Sequence, residues 1–89
     1  MEKKSDILKR KRAAKRVVEH FGGPTNVARA LGYSDIRNVA YWTRGERWFT
    51  PKHCVTIERL TGGQITRKEL RPHDYSDHWP DLTPEPAEV

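Results

Sequence analysis

An all-α fold, a compact bundle of about five short helices with a central helix-turn-helix, is what this 89-residue sequence predicts, and three observations predict it. Pro24 to Gly45 reads as two short helices joined at Gly32. Helical apolar spacing recurs on both sides of that stretch, at Ala13, Ala14, Val17, Val18 and Phe21 and again at Cys54, Ile57 and Leu60. A hydrophobic fraction of 35% against 33% charged leaves only a small core, which a single domain of packed helices can build.

The first helix of the motif follows from its mechanics. Pro24 suits the first helical position, and Thr25 and Asn26 suit an exposed N-terminus. Val27, Ala28 and Leu31 then share one face. Ala28 is small where the second helix must cross closely. Gly32 ends the helix, since it adopts the left-handed conformation without a Cβ penalty.

Ser34 reads as an N-cap and Asp35 favours the positive end of the next helix, which is expected from about Asp35 to Arg44 and is closed by Gly45. Ile36, Val39 and Trp42, three apart, are its expected inward face, with Trp42 packing on Val39 and Leu31. Arg37, Asn38, Tyr41 and Arg44 are left facing out. That set has DNA chemistry: arginine donates a bidentate pair to guanine O6 and N7, and asparagine pairs bidentately with adenine N6 and N7.

Residues at the start of a reading helix reach base edges, so Arg37 and Asn38 are the expected readers, with Asp35 a possible acceptor from cytosine. The spacing from Ala28 to Val39 is one residue longer than in the common motif, and the extra residue falls within Tyr33 to Ile36, so the reading positions can slip towards Asp35 or Tyr41. Tyr41, Thr43 and Arg44 lie further along and suit phosphates, as do Thr25 and Asn26 at the start of the preceding helix. The alternative for each is an ordinary solvated side chain.

These residues carry a resemblance. The run VVEHFGGPTNVARALGYSDIRNVAYWTRG with the later HCVTIERLTGGQITRKELRP resembles the small Cro-like repressors of lambdoid phages and the related YdaS-type prophage transcription factors, often labelled antitoxins. The likeness covers about Val17 to Trp79. Its most specific marks are the Phe-Gly-Gly before the motif, the Ala-Leu-Gly turn, Trp-x-Arg-Gly at the end of the reading helix, and the segment Cys54 to Pro72. It implies a lambda-repressor-like DNA-binding domain in a cytoplasmic bacterial or phage regulator, associated with the nucleoid when bound. It also implies a short operator and, commonly, a homodimer.

Charge divides the chain into three. Residues 1–16 carry eight Lys or Arg against Glu2 and Asp6, residues 17–71 carry nine against five acids, and residues 72–89 carry five acids and no Lys or Arg. The expected organisation is a basic N-terminal arm over 1–12, a helix-turn-helix domain over 13–79 and an acidic tail over 80–89. Net charge of +5 favours a polyanionic partner, although membranes or simple solubility would also suit it. Lys9, Arg10, Lys11 and Arg12 are expected to add phosphate contacts or to reach a minor groove, the alternative being a solvated face.

Beyond the motif, Trp48 and Phe49 are too apolar for a plain linker and are expected to pack under the next helix. Thr50 caps a helix opening at Pro51, with Cys54, Ile57 and Leu60 inward and Gly62-Gly63 at its end. Arg47 and Lys52 beside the reading helix are further candidate phosphate contacts. Gln64 and Ile65 read as extended, and Thr66-x-x-Glu69 is a capping box that opens a last short helix. Thr61 to Leu70 is a possible self-association edge. Tyr75, Trp79 and Leu82 are expected to cover the core, with a disordered tail beyond Pro80.

Other functions find no support in the motifs. The single Cys54 falls among apolar helix positions and reads as a small hydrophobe. His73-Asp74 with Asp77-His78 lacks zinc spacing, and neither a phosphate-cradling glycine loop nor a nucleophile elbow is present. No signal peptide or apolar span is apparent. The sequence is therefore read as a non-enzymatic DNA-binding regulator needing no cofactor, metal, membrane or small-molecule substrate, with an antitoxin or adaptor module as the alternative.

Overall fold

A computed structural model describes residues 4–81, so the first three residues of the expected arm, Leu82 and the tail beyond Asp81 lie outside the described residues. Among these residues the fold is all helical. In order come α1 (Lys4–Phe21), α2 (Pro24–Ala30), α3 (Arg37–Thr43), α4 (Pro51–Leu60), α5 (Arg67–Leu70) and α6 (Tyr75–His78). The sixth element, a four-residue turn of helix, exceeds the expected five.

The longest helix carries the rest. α1 buries Ala13, Ala14 and Val17, and both α2 and α3 pack on it. Val27 and Ala28 of α2, Val39 and Trp42 of α3, Phe49, Cys54, Ile57, Ile65 and Leu70 complete one contiguous core. Ala28 is buried as its small size requires.

Caps and turns follow the local chemistry. Thr50 Oγ1 accepts from the His53 amide and Thr66 Oγ1 from the Glu69 amide, so α4 and α5 open where their caps stand. The Gly32 amide donates to Arg29 O at 3.2 Å and the Tyr33 amide to Ala28 O at 2.8 Å, the paired bonds of a Schellman ending, with Gly32 at φ 88°. Gln64 and Ile65 lie in turns rather than an extended piece, and Ile65 is fully buried.

Two expected core residues sit outside it. Leu60 is 45% exposed, because α4 ends there and Thr61 turns inward instead, its hydroxyl accepting from the Ile65 amide at 3.1 Å. Ile36 is also 45% exposed, because it precedes α3 instead of lying on its inner stripe. Tyr33, half-buried against the core, sets its ring edge against Trp42 and bonds through its hydroxyl to His53 Nε2 at 2.7 Å.

Residues 4–12 of the expected arm form the first half of α1. Arg10, expected at phosphate, is 4% exposed. Its Nε donates to Gly45 O at 2.6 Å and its guanidinium lies 5.4 Å from the Trp48 ring centre. The physical reason is position: Arg10 falls one turn before the apolar Ala13-Ala14-Val17 stripe and points at the loop that α1 crosses. Arg10→Ala is expected to cost about 1–3 kcal/mol by leaving a buried carbonyl without its donor. Lys9→Ala, at an exposed site, is expected to stay within about 0.5 kcal/mol. Urea titrations of both variants check the contrast.

The cluster of His73, Asp74 and His78 closes the fold. Arg71 forks onto Asp74 at 2.9 and 2.7 Å, donates to Phe49 O at 2.6 Å, and so ties the C-terminal turn to the α3–α4 connector. His78 Nε2 is 3.1 Å from Asp74. The Arg71 hydrogen bond holds the Asp74 carboxyl below its usual value. Trp79 lies against the core beneath the Arg67 guanidinium, as expected, and His73 stacks on Trp48.

Burial, with Lys52 nearby, lowers His53 from its ordinary 6.5. The unfolded chain therefore takes up this proton first, and stability present above pH 6.5 is lost as pH falls through the native value. The thermal midpoint is expected to drop on acidification through that window, and His53→Gln is expected to flatten that part of the profile.

Candidate nucleic-acid interface

The outward face of α3 is set by the turn that precedes it. Asp35, not Ser34, serves the start of α3: its Oδ1 accepts the Arg37 amide at 2.9 Å and its Oδ2 accepts from Arg37 Nη2 at 3.2 Å. A carboxylate two residues ahead of an amide makes this Asx-type closure readily, and α3 begins two residues later than expected. The additional turn residue between Ala28 and Val39 is thereby absorbed outside the helix.

Val39 and Trp42 then anchor α3, and Arg37 to Arg44 divide as the helical period dictates. The Arg37 side chain is 79% exposed. Asn38 and Tyr41 are half-buried, while Thr43 and Arg44 are exposed. Tyr41 has two cations over its ring, with the Arg47 guanidinium 4.0 Å and that of Arg44 5.3 Å from the ring centre. Glu46 receives Arg44 in a fork at 2.8 and 3.3 Å, and that hydrogen bond raises the Arg44 pKa and lowers that of Glu46. Two arginines are thus braced on one tyrosine beside the end of α3.

Other expected contacts are partly committed within the fold. Thr43 donates its hydroxyl to Ala40 O at 3.1 Å. Asn26 donates its amide to Phe21 O at 2.8 Å, capping α1, whereas Thr25 is exposed. Lys52 is exposed on α4.

The basic run of α1 splits by helical phase. Lys11 and Lys15, one turn apart, line a cavity of about 420 Å³ with Val18, Glu19 and Thr43, at the end of α3. Lys9 and Arg12 turn towards α5, lining a smaller cavity with Arg16, Glu69 and Pro72. Only the first pair shares a side with the end of α3. Lys15 was missed as a candidate, although its spacing of four from Lys11 was visible in the sequence.

The geometry offers cations, hydroxyls and an arginine–asparagine pair on one anchored helix, and no group of three metal-ligating side chains occurs among the described residues. No helix of those residues is long and apolar enough to cross a membrane. Cys54 is fully buried, which pushes its thiol up to about 12.

No solved structure matches the chain. Over 51 residues it is 41% identical to the Escherichia coli K12 protein named "Putative transcriptional regulator YdaS", an alignment covering 57% of this chain and about half the length of that relative. A family model described as "Bacterial toxin YdaS" matches residues 14–79, which take in every element from the second half of α1 to α6. The chain belongs to the YdaS family.

Proposed function

We propose that the protein is a sequence-specific DNA-binding transcriptional regulator, a Cro-like repressor that sets α3 in the major groove of a short operator and so excludes polymerase. The observation that carries this reading is the outward face of α3, where Arg37 and Asn38 open the helix while Val39 and Trp42 hold it to the core. Tyr41 with Arg44 and Arg47, and Lys11 with Lys15, stand where phosphate contacts would fix register. The described relative's name supports a regulatory role. The reading is non-enzymatic and cytoplasmic, and a buried Cys54 with a raised thiol pKa suits structure rather than nucleophilic chemistry. A homodimer would place half-sites about one helical turn apart.

Selection of bound duplexes from a random pool at near-physiological salt tests the proposal, and one enriched inverted repeat is the expected result. On that site Arg37→Ala is expected to relax one base pair at about 1–3 kcal/mol, whereas Lys11→Ala weakens all sequences alike. Lys11→Ala with Lys15→Ala should flatten the slope of log affinity against log salt by about 2, at roughly 0.9 per phosphate. Lys9→Ala with Arg12→Ala should leave the slope unchanged.

The second reading is a protein-interaction module with secondary DNA binding. The family's description speaks of a toxin rather than an antitoxin or adaptor. Recovery of no motif, with only salt-sensitive binding, would favour it over the operator.

A further inference from the structure

We infer that Asp35 is a positioning residue that holds Arg37 for guanine recognition at one operator position, and does not itself read cytosine. The inference rests on the reading of α3 as the recognition helix. Both Asp35 oxygens are engaged by one residue, Oδ1 by the Arg37 amide and Oδ2 by Arg37 Nη2. One carboxylate thus fixes the first N–H of α3 and the end of the side chain that projects from it.

The donor count leaves the guanidinium competent. Arginine has five N–H donors, and the bond to Asp35 uses one of the two on Nη2. Whichever is used, one edge with two parallel donors remains whole: the Nη1–Nη2 edge or the Nε–Nη2 edge. That edge fits the O6 and N7 acceptors of guanine, and no other base presents two acceptors there.

Bracing also lowers the cost of ordering. An arginine side chain that is 79% exposed otherwise loses rotamer freedom when it binds. The pair has an electrostatic consequence as well. A carboxylate at the front of a reading helix repels phosphate, and the neighbouring guanidinium offsets that repulsion only while the two stay together.

Asp35→Asn separates these roles. The amide oxygen still accepts the Arg37 N–H, so the helix start is kept, while the amide can no longer pair as an anion with the guanidinium. Binding of purified protein is measured on the selected operator, on a panel with each base pair changed, and on non-specific duplex, with thermal melts confirming the fold.

Asp35→Asn is expected to cut preference at the base pair that Arg37→Ala identifies by about fivefold or more, out of the roughly 5- to 150-fold that a bidentate pair supplies. Preferences elsewhere should hold, and affinity for non-specific duplex should stay equal or rise. The Asp35→Asn, Arg37→Ala double variant should lose no more preference there than Arg37→Ala alone. Unchanged preference in Asp35→Asn, or an equal fall at every position, would overturn the inference while leaving operator binding intact. A wild-type protein with no base preference at all would instead remove the recognition-helix reading, and this inference with it.

Discussion

Gly45→Ala is expected to destabilise the protein by about 2–5 kcal/mol, combining left-handed strain of about 1–2 kcal/mol with overpacking of about 1–3 kcal/mol. Gly45 ends α3 at φ 76°, and a Cβ there would stand 2.9 Å from both Ile7 Cγ2 and Ile7 O and 3.0 Å from Lys11 Cγ. The backbone oxygen cannot step aside without moving α1. Since Gly45 O also receives Arg10, displacement would break that bond too. At about 4–8 °C per kcal/mol for a domain of this size, the thermal midpoint should fall by about 8 °C or more.

Gly32→Ala is the matched comparison. Gly32 has φ 88°, yet nothing lies within 4 Å of its would-be Cβ, so strain alone remains. Its expected cost is about 1–2 kcal/mol. Calorimetry of both variants decides: equal losses would mean that α1 does not press on the end of α3 in solution.

Trp42→Ala is expected to cost about 3–5 kcal/mol, a large share of the about 5–15 kcal/mol that stabilises a typical domain. Trp42 is 4% exposed, and its ring centre lies 4.4 Å from that of Phe49, 5.7 Å from His53 and 6.2 Å from Tyr33. It joins α3 to α4 and to the turn before α3. Because the core rather than DNA holds its ring, Trp42→Phe is expected to cost less and to keep operator preference unchanged. A selective loss of DNA affinity in Trp42→Phe, with stability intact, would assign the indole to the interface instead.

Much of the architecture was legible because its signals are local. Gly32, Gly45 and Gly62 end helices, Thr50 and Thr66 cap them, and Val27, Ala28, Val39, Cys54 and Ile57 repeat at helical spacing, so each element declares itself within one or two turns. The start of α3 was less legible. Ser34 and Asp35 are both good caps, and only the carboxylate's reach to the Arg37 amide distinguishes them. That one choice moved Ile36 from the expected core to the surface and brought Tyr33 inward.

The basic run illustrates the same boundary. Composition identifies a cluster of cations over residues 9–16 but not the direction each takes once α1 is packed. Helical phase sends Lys11 and Lys15 towards Thr43, Lys9 and Arg12 towards α5, and Arg10 into the loop at Gly45.

By itself the sequence determined the helical class, the two short helices joined at Gly32, the family and the set of polar residues that face outward on the second of them, since these depend on neighbours within a few positions. Tertiary structure alone decided which of those residues are free to act. Arg10 was drawn inside, Asp35 was bound to Arg37, and Arg47 was laid on Tyr41, because pairings of this kind depend on where the turn ahead of α3 and the crossing of α1 over Gly45 set each backbone.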